Sequence, residues 1–264
     1  MNDISLGKYY FTDSFYHKLD PRTKFISTLI FLIMIFFLDS LAAYIAAIIY
    51  LIIMKIISKI PLYVIFTSIK PIIILIVFTF IFQALTVSGT DIYKLGPISI
   101  SIEGIKLAFY KCLSILILVT SASFLTFATT PTEITDGLEK MMFFLNRWKI
   151  PVHDFTFMIL LAIKFIPILI EQIDRLMKAQ ISRGVCLDEG NILIRIKNLI
   201  PVFIPLFIST FYRATELGLS MEVRGYRGGA HRTSMNSLEY SKNDIVFYIM
   251  FSTFIALLLI LNYI

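Results

Sequence analysis

Two Arg-Gly pairs, Arg183-Gly184 and Arg224-Gly225, are the residues of this 264-residue chain whose type and spacing most suggest chemistry. Their arginines stand 41 positions apart. Each pair closes a stretch with apolar residues at helical spacing. The first runs from Glu171 and carries Ile173, Leu176, Met177 and Ile181, with charge on the opposite face. The second runs from about Pro205 through Phe211, Ala214, Gly218 and Leu219 to Val223. Glycine is the ordinary residue just past a helix end, and a basic residue in the last turn complements the helix dipole by about 0.3–1 kcal/mol. One such end needs no function. Two alike, in one basic region, point to a pair of docking tips made of Ser182, Arg183, Gly184, Val223, Arg224 and Gly225. A planar guanidinium suits bidentate pairing with an acceptor in a groove of another protein. Ala214 and Gly218, four apart, would let the second helix approach another closely.

Other chemistry is poorly represented. The three histidines, His17, His153 and His231, lie far apart and form no His-x-x-x-His metal helix. Cys112 and Cys186 make no disulfide framework and have no paired metal spacing. No Gly-x-x-x-x-Gly-Lys-Ser/Thr loop is present, so the chain is not expected to bind ATP or another cofactor itself. Residues 129–243 hold 14 of the 24 Lys and Arg, but 11 acidic residues share the segment. That mixture suits a solvated protein-binding face better than a nucleic-acid surface.

The elements that carry these tips belong to a membrane protein. With 58% apolar residues, 16% charged, 24 Phe and a mean hydropathy of +0.83, the chain has more apolar surface than a soluble fold of its size can hide. The N-terminus lacks the apolar core and cleavage site of a signal peptide. Five apolar runs are candidate spans: Phe25–Leu38, Leu41–Met54, Pro71–Val87, Ile105–Ala128 and Ile245–Ile264. Reading the first two as a hairpin around Asp39 and Ser40 puts Lys8, Lys18, Arg22, Lys24, Lys55, Lys59 and Lys70 on the cytoplasmic side. The loop 88–104, with a Gly96-Pro97 turn signal, is then external. Phe155–Ile170 and Leu199–Tyr212, interrupted by Lys164, Pro167, Pro201 and Pro205, fall short of span length. They read as buried or interfacial portions of long helices running from the membrane surface into the cytoplasm. Lys111, deeper in its span than Lys106, is expected to face protein or a water-filled recess. The expected fold is therefore all-α and polytopic, with about five spans and long cytoplasmic amphipathic coupling helices. Residues 1–128 form an N-terminal membrane bundle, 129–243 the coupling region and 244–264 the last span, with the N-terminus inside.

Several segments, in order and covering nearly the whole chain, resemble the transmembrane T component of energy-coupling-factor (ECF) importers, and its shared-module form in particular. They are Leu6-Gly-Lys-Tyr with Asp13-Ser14, His17 and Leu19-Asp20-Pro21-Arg22-Thr23-Lys24; Pro131-Thr132-Glu133 with Gly137-Leu138; Lys164-Phe-Ile-Pro167; Ala179-Gln-Ile-Ser-Arg183-Gly184; and Met221-Glu-Val-Arg224-Gly225-Tyr226. Ser182 and Val223 stand where that family's paired motif has Ala. The resemblance implies a non-catalytic scaffold in the bacterial cell membrane. It would join two cytoplasmic ABC ATPases, which hold ATP and Mg, to a small membrane subunit that captures a vitamin or other micronutrient. Arg183 and Arg224 would be the ATPase anchors. A self-contained secondary transporter and a membrane-embedded enzyme are the alternatives; neither has the intramembrane polar path or the catalytic set it would need.

Overall fold

The computed structural model describes residues 9–87, 90–95, 98–148, 151–185, 191–226, 228 and 238–263. Leu6–Lys8, Gly96-Pro97, Cys186 and His231, all used above, lie outside them. Nine α-helices carry the described chain: α1 (Pro21–Ile35), α2 (Leu41–Ser58), α3 (Leu62–Ile69), α4 (Ile73–Thr86), α5 (Ile102–Ala128), α6 (Pro131–Met142), α7 (Val152–Ser182), α8 (Ile192–Val223) and α9 (Lys242–Tyr263). A short antiparallel hairpin, β1 (Asp91–Leu95) and β2 (Ile98–Ser101), pairs Tyr93 with Ile100 and Leu95 with Ile98. The fold is all-α in every other respect.

The helices begin where their caps dictate. Asp20 accepts the Arg22 N–H at the start of α1, with Pro21 in the first turn, where its missing N–H costs nothing. Ser101 accepts the Gly104 N–H at the start of α5. Thr130 and Glu133 exchange hydrogen bonds around the start of α6, each side chain accepting from the other's backbone N–H. α3, one 3-10 turn (Lys70–Ile72) and α4 follow one another as an apolar rod, Leu62–Thr86.

The chain divides into two compact units. One comprises the described residues of 7–137 and 237–264, so the last helix joins the N-terminal bundle. In it α5 is the central element, packed by α1, α2, α3 and α4, while α9 packs on α1 and α2. Its core includes Phe31, Ile35, Ala43, Ala47, Ile117, Phe124, Phe127, Phe251 and Leu258. Tyr50 stacks on Phe254 at 4.4 Å, and the Tyr44 hydroxyl donates to the Leu38 carbonyl at 2.9 Å. Asn262 closes one end: its Oδ1 accepts from the Asp39 and Ser40 N–H groups and its Nδ2 donates to the Phe37 carbonyl. The other unit holds the described residues of 138–236, chiefly α7 and α8.

Among the described residues, six helices are long and apolar enough to cross a membrane: Leu41–Ser58, Leu62–Thr86, Ile102–Ala128, Val152–Ser182, Leu193–Val223 and Lys242–Tyr263. Four coincide with expected spans. The other expected span begins earlier, at Pro21, and as α1 has only 15 residues. One expectation is corrected. α7 and α8 reach span length because their helices continue through Pro167, Pro201 and Pro205. Each proline removes its own N–H bond and crowds the carbonyl four residues before it, a local cost of about 3 kcal/mol that the remaining bonds of a 31- or 32-residue helix outweigh. Lys111 and Lys106 are both exposed on α5, and the Lys106 ammonium lies 6.0 Å from the Tyr110 ring centre.

Candidate functional site: two matched helix ends

α7 and α8 stop in the same geometry. Gly184 has φ +87° and Gly225 has φ +79°, left-handed values that a residue with a Cβ adopts only at a cost. At the end of α7, the Gly184 N–H donates to the Ile181 carbonyl at 2.9 Å and the Val185 N–H to the Gln180 carbonyl at 3.1 Å. At the end of α8, the Gly225 N–H donates to the Glu222 carbonyl at 2.9 Å and the Tyr226 N–H to the Met221 carbonyl at 2.9 Å. Both sets are the paired bonds of a Schellman turn, which satisfies carbonyls the helix would otherwise leave open. Arg183 and Arg224 occupy the equivalent last position of the two helices. Ser182, Arg183, Gly184, Val223, Arg224 and Gly225 are all exposed. Neither guanidinium pairs with an acidic side chain among the described residues. Each helix thus presents a fixed backbone turn with a free cation at its tip.

The two helices run antiparallel. The Gln172 amide donates to Ser209 Oγ, the Gln180 amide to the Pro201 carbonyl at 3.4 Å, and the Phe157 ring stacks on Tyr226 at 5.4 Å. These pairings set the register. The apolar half of α7, residues 155–170, lies beside residues 211–226, and the apolar half of α8, residues 199–212, lies beside the charged half of α7. At ~1.5 Å per residue the apolar halves are displaced by roughly 20 Å. Where they meet, Ile168, Glu171, Gln172, Arg175, Leu176, Ala179 and Arg213 line a groove of about 420 Å³. Among the described residues, no group of three His, Cys, Asp or Glu is placed to hold a metal.

Residues 12–235 match the family model CbiQ, described as cobalt transport protein. The chain is 39% identical over 261 residues to the energy-coupling factor transporter transmembrane protein EcfT of Ruminiclostridium cellulolyticum, covering 98% of each chain. It is 41% identical to the EcfT of Heliobacterium modesticaldum, covering 92% of each, and 35% identical to that of Bacillus subtilis, covering 99% of each. The chain belongs to the EcfT family.

As an EcfT-family protein it is a transmembrane component of an energy-coupling factor transporter, and its apolar helices make it a multi-pass membrane protein. Within this member, the residues expected to pack the two long helices together divide. Ile173, Leu176 and Met177 are half-buried. Ile181, Phe211, Ala214, Gly218 and Leu219 are exposed, and a Cβ added at Gly218 would meet nothing within 4 Å. The face bearing Ala214 and Gly218 is therefore bare. The hydrogen bonds across the pair come from Gln172, Gln180, Ser209 and Pro201, which the apolar periodicity did not mark. Two glutamines on the inner side of an otherwise charged helix half were the available signal.

Proposed function

We propose that this EcfT-family chain couples ATP hydrolysis by two cytoplasmic ABC ATPases to a small membrane subunit that captures a vitamin or other micronutrient. The observation that carries this reading is the duplicated tip: two helices with the same Schellman turn and the same exposed terminal arginine. Two ATPase subunits offer one acceptor groove each, and Arg183 and Arg224 supply one cation for each. ATP and Mg belong to the partners; this chain contributes anchors and levers and catalyses nothing.

The staggered register of α7 and α8 supports an interfacial course for them, although each is long enough to span. Two antiparallel spans side by side need their apolar stretches at one depth, because every charge in hydrocarbon is costly. Here the apolar half of α8 is level with Glu171, Asp174, Arg175 and Lys178 of α7. Helices lying along the boundary give each half its own solvent. The N-terminus is then cytoplasmic, and anchored tips can move the pair only if the ATPases contact them differently in their two states.

Replacement of both tip arginines, Arg183→Glu with Arg224→Glu, is expected to reduce uptake at least tenfold and to release the ATPases, while the chain stays at its normal level in the membrane. Uptake at the normal rate in the double variant would sink the assignment.

A further inference from the structure

The opening motif Leu19-Asp20-Pro21-Arg22-Thr23-Lys24 is left without a role by the docking tips, yet it holds the most heavily bonded polar cluster of the bundle. Lys24 is 1% exposed, and its ammonium donates to the His17 carbonyl at 2.8 Å and to the Ala128 carbonyl at 3.1 Å. The second of these is the last residue of α5. The Tyr10 N–H donates to the Phe127 carbonyl at 3.0 Å, so the N-terminal segment grips the same helix end twice. On the other side, the Asp20 N–H donates to Asp244 Oδ1 at 2.8 Å, and Asp244 Oδ2 accepts from the Ser241 N–H and hydroxyl at the start of α9. Arg22 clasps Asp20 with two bonds, donates to the Leu238 carbonyl and lies 4.1 Å from the Tyr240 ring centre. Burial pushes the His17 imidazole below its usual range, which keeps it neutral at pH 7 beside Ser14, 2.7 Å away.

What this cluster holds is the root of α6. Thr129 is 1% exposed in extended backbone, and α6 starts from the Thr130–Glu133 cap. One turn and a half later α6 lays Gly137 on the motif: a Cβ there would come within 3.3 Å of Pro21 Cβ and 3.6 Å of the Arg22 nitrogen. Even a methyl group there presses on Pro21, which must give by a few tenths of an ångström, and a longer side chain presses further. The far end of α6 carries Glu139, whose carboxylate lies 2.7 Å from His153 Nδ1 in the first turn of α7.

We propose that the motif is the fixed mount of α6, with Lys24 and Asp244 as its locking charges and Gly137 against Pro21 as its seat, and that it stays closed through the transport cycle. Opening it would strand a buried ammonium and a buried carboxylate without their partners, among the most costly changes a fold can make. The proposal rests on the coupling reading above, because a mount matters only if the long helices are driven. Pro21, Gly137, Lys24 and Asp244 are positioning residues: they touch neither nucleotide nor cargo.

The test is a reversible cross-link, Pro21→Cys with Gly137→Cys, in the whole transporter with Cys112 and Cys186 replaced by Ala. The built Cβ separation is close to the ~3.5–4.5 Å a disulfide spans. The disulfide is expected to form in the assembled complex, with uptake within twofold of the reduced form. Failure to form, or a fivefold or greater loss on oxidation that reductant restores, overturns the proposal. In parallel, Gly137→Leu is expected to cut uptake at least tenfold while ATP hydrolysis and the co-purified ATPases stay within twofold of normal, with Gly137→Ala intermediate. Unchanged uptake in Gly137→Leu also overturns it. If instead the unsubstituted complex holds no ATPases, the coupling reading fails, and the cross-link yield still reports whether the seat exists.

Discussion

The Leu62–Thr86 rod, which α4 ends, and α8 are equally bare, with 6% of the most apolar stretch buried in each, yet they cannot be bare for the same reason. From Ile73 to Thr86 α4 carries no charge, and Ile74 and Phe78 stand out from it. α8 holds Phe203, Phe207 and Phe211 in an uncharged stretch, residues 198–212, flanked by Arg195 and Lys197 on one side and Arg213, Glu216 and Glu222 on the other. Exposure therefore means nothing until its chemistry is read along the helix. A uniformly apolar bare surface is complete once lipid covers it. On α8 the bare apolar stretch ends at charges of both signs and runs beside the charged half of α7, so neither lipid nor water alone suits the whole surface, as expected of a helix that docks on protein.

The sharpest way to break that contrast is to put the same charge on each helix. Ile74→Arg, near the middle of the Leu62–Thr86 rod, should cost about 3 kcal/mol of insertion energy, enough for a loss of about a hundredfold in correctly inserted chain. Phe207→Arg on α8 should leave insertion within twofold and instead weaken assembly of the transporter. Protease protection in membranes measures the first, and co-purification the second. Equal insertion defects would show that α8 is covered by lipid as α4 is, and would restore it as an ordinary span.

What the amino-acid order revealed follows the same divide. Apolar runs identified the spans of the bundle because lipid responds to local composition, and the Arg-Gly pairs foretold both Schellman turns because a C′ glycine acts within one helix turn. Properties set at long range stayed hidden. The 20-Å stagger of α7 and α8 depends on which two glutamines meet Ser209 and Pro201. Pro201 and Pro205 read as breaks, though the helix continues through them. Lys24 counted as one more basic residue orienting the chain, and nothing in its neighbours announced that it would be buried against two carbonyls. Ala214 and Gly218 fit a close-packing pattern, but the surface they make is bare in this chain.

A second, smaller effect should appear only in the bundle, which has a core of its own. Asp244→Ala removes the acceptor of three hydrogen bonds at the root of α9. Bonds to a charged group contribute about 1.5–3 kcal/mol, so the purified chain should unfold several degrees earlier whether or not partners are present. Gln172→Ala on α7 removes one bond from a pair of helices with little else buried, and should leave that midpoint unmoved. A larger shift for Gln172→Ala would mean that α7 and α8 are held together more firmly than their few buried residues indicate.

The smallest expected effects separate a glycine needed for its backbone from one needed for its surface, both near the end of α8. Gly225 must be left-handed at φ +79° with open space around it, so Gly225→Ala should cost about 1 kcal/mol through the backbone alone. Its readout is a weaker grip on the ATPases, about fivefold, with Gly225→Asn milder because asparagine tolerates that region better. Gly218 lies inside the helix, where alanine is the better former by about 0.5–1 kcal/mol, and nothing lies within 4 Å to resist it. Gly218→Ala should therefore leave uptake intact or slightly raise the amount of chain. Should Gly218→Ala and Gly218→Leu both lower uptake without lowering the amount of chain, the bare face is occupied in the working transporter, and the small-residue pair Ala214 and Gly218 is where another helix rests.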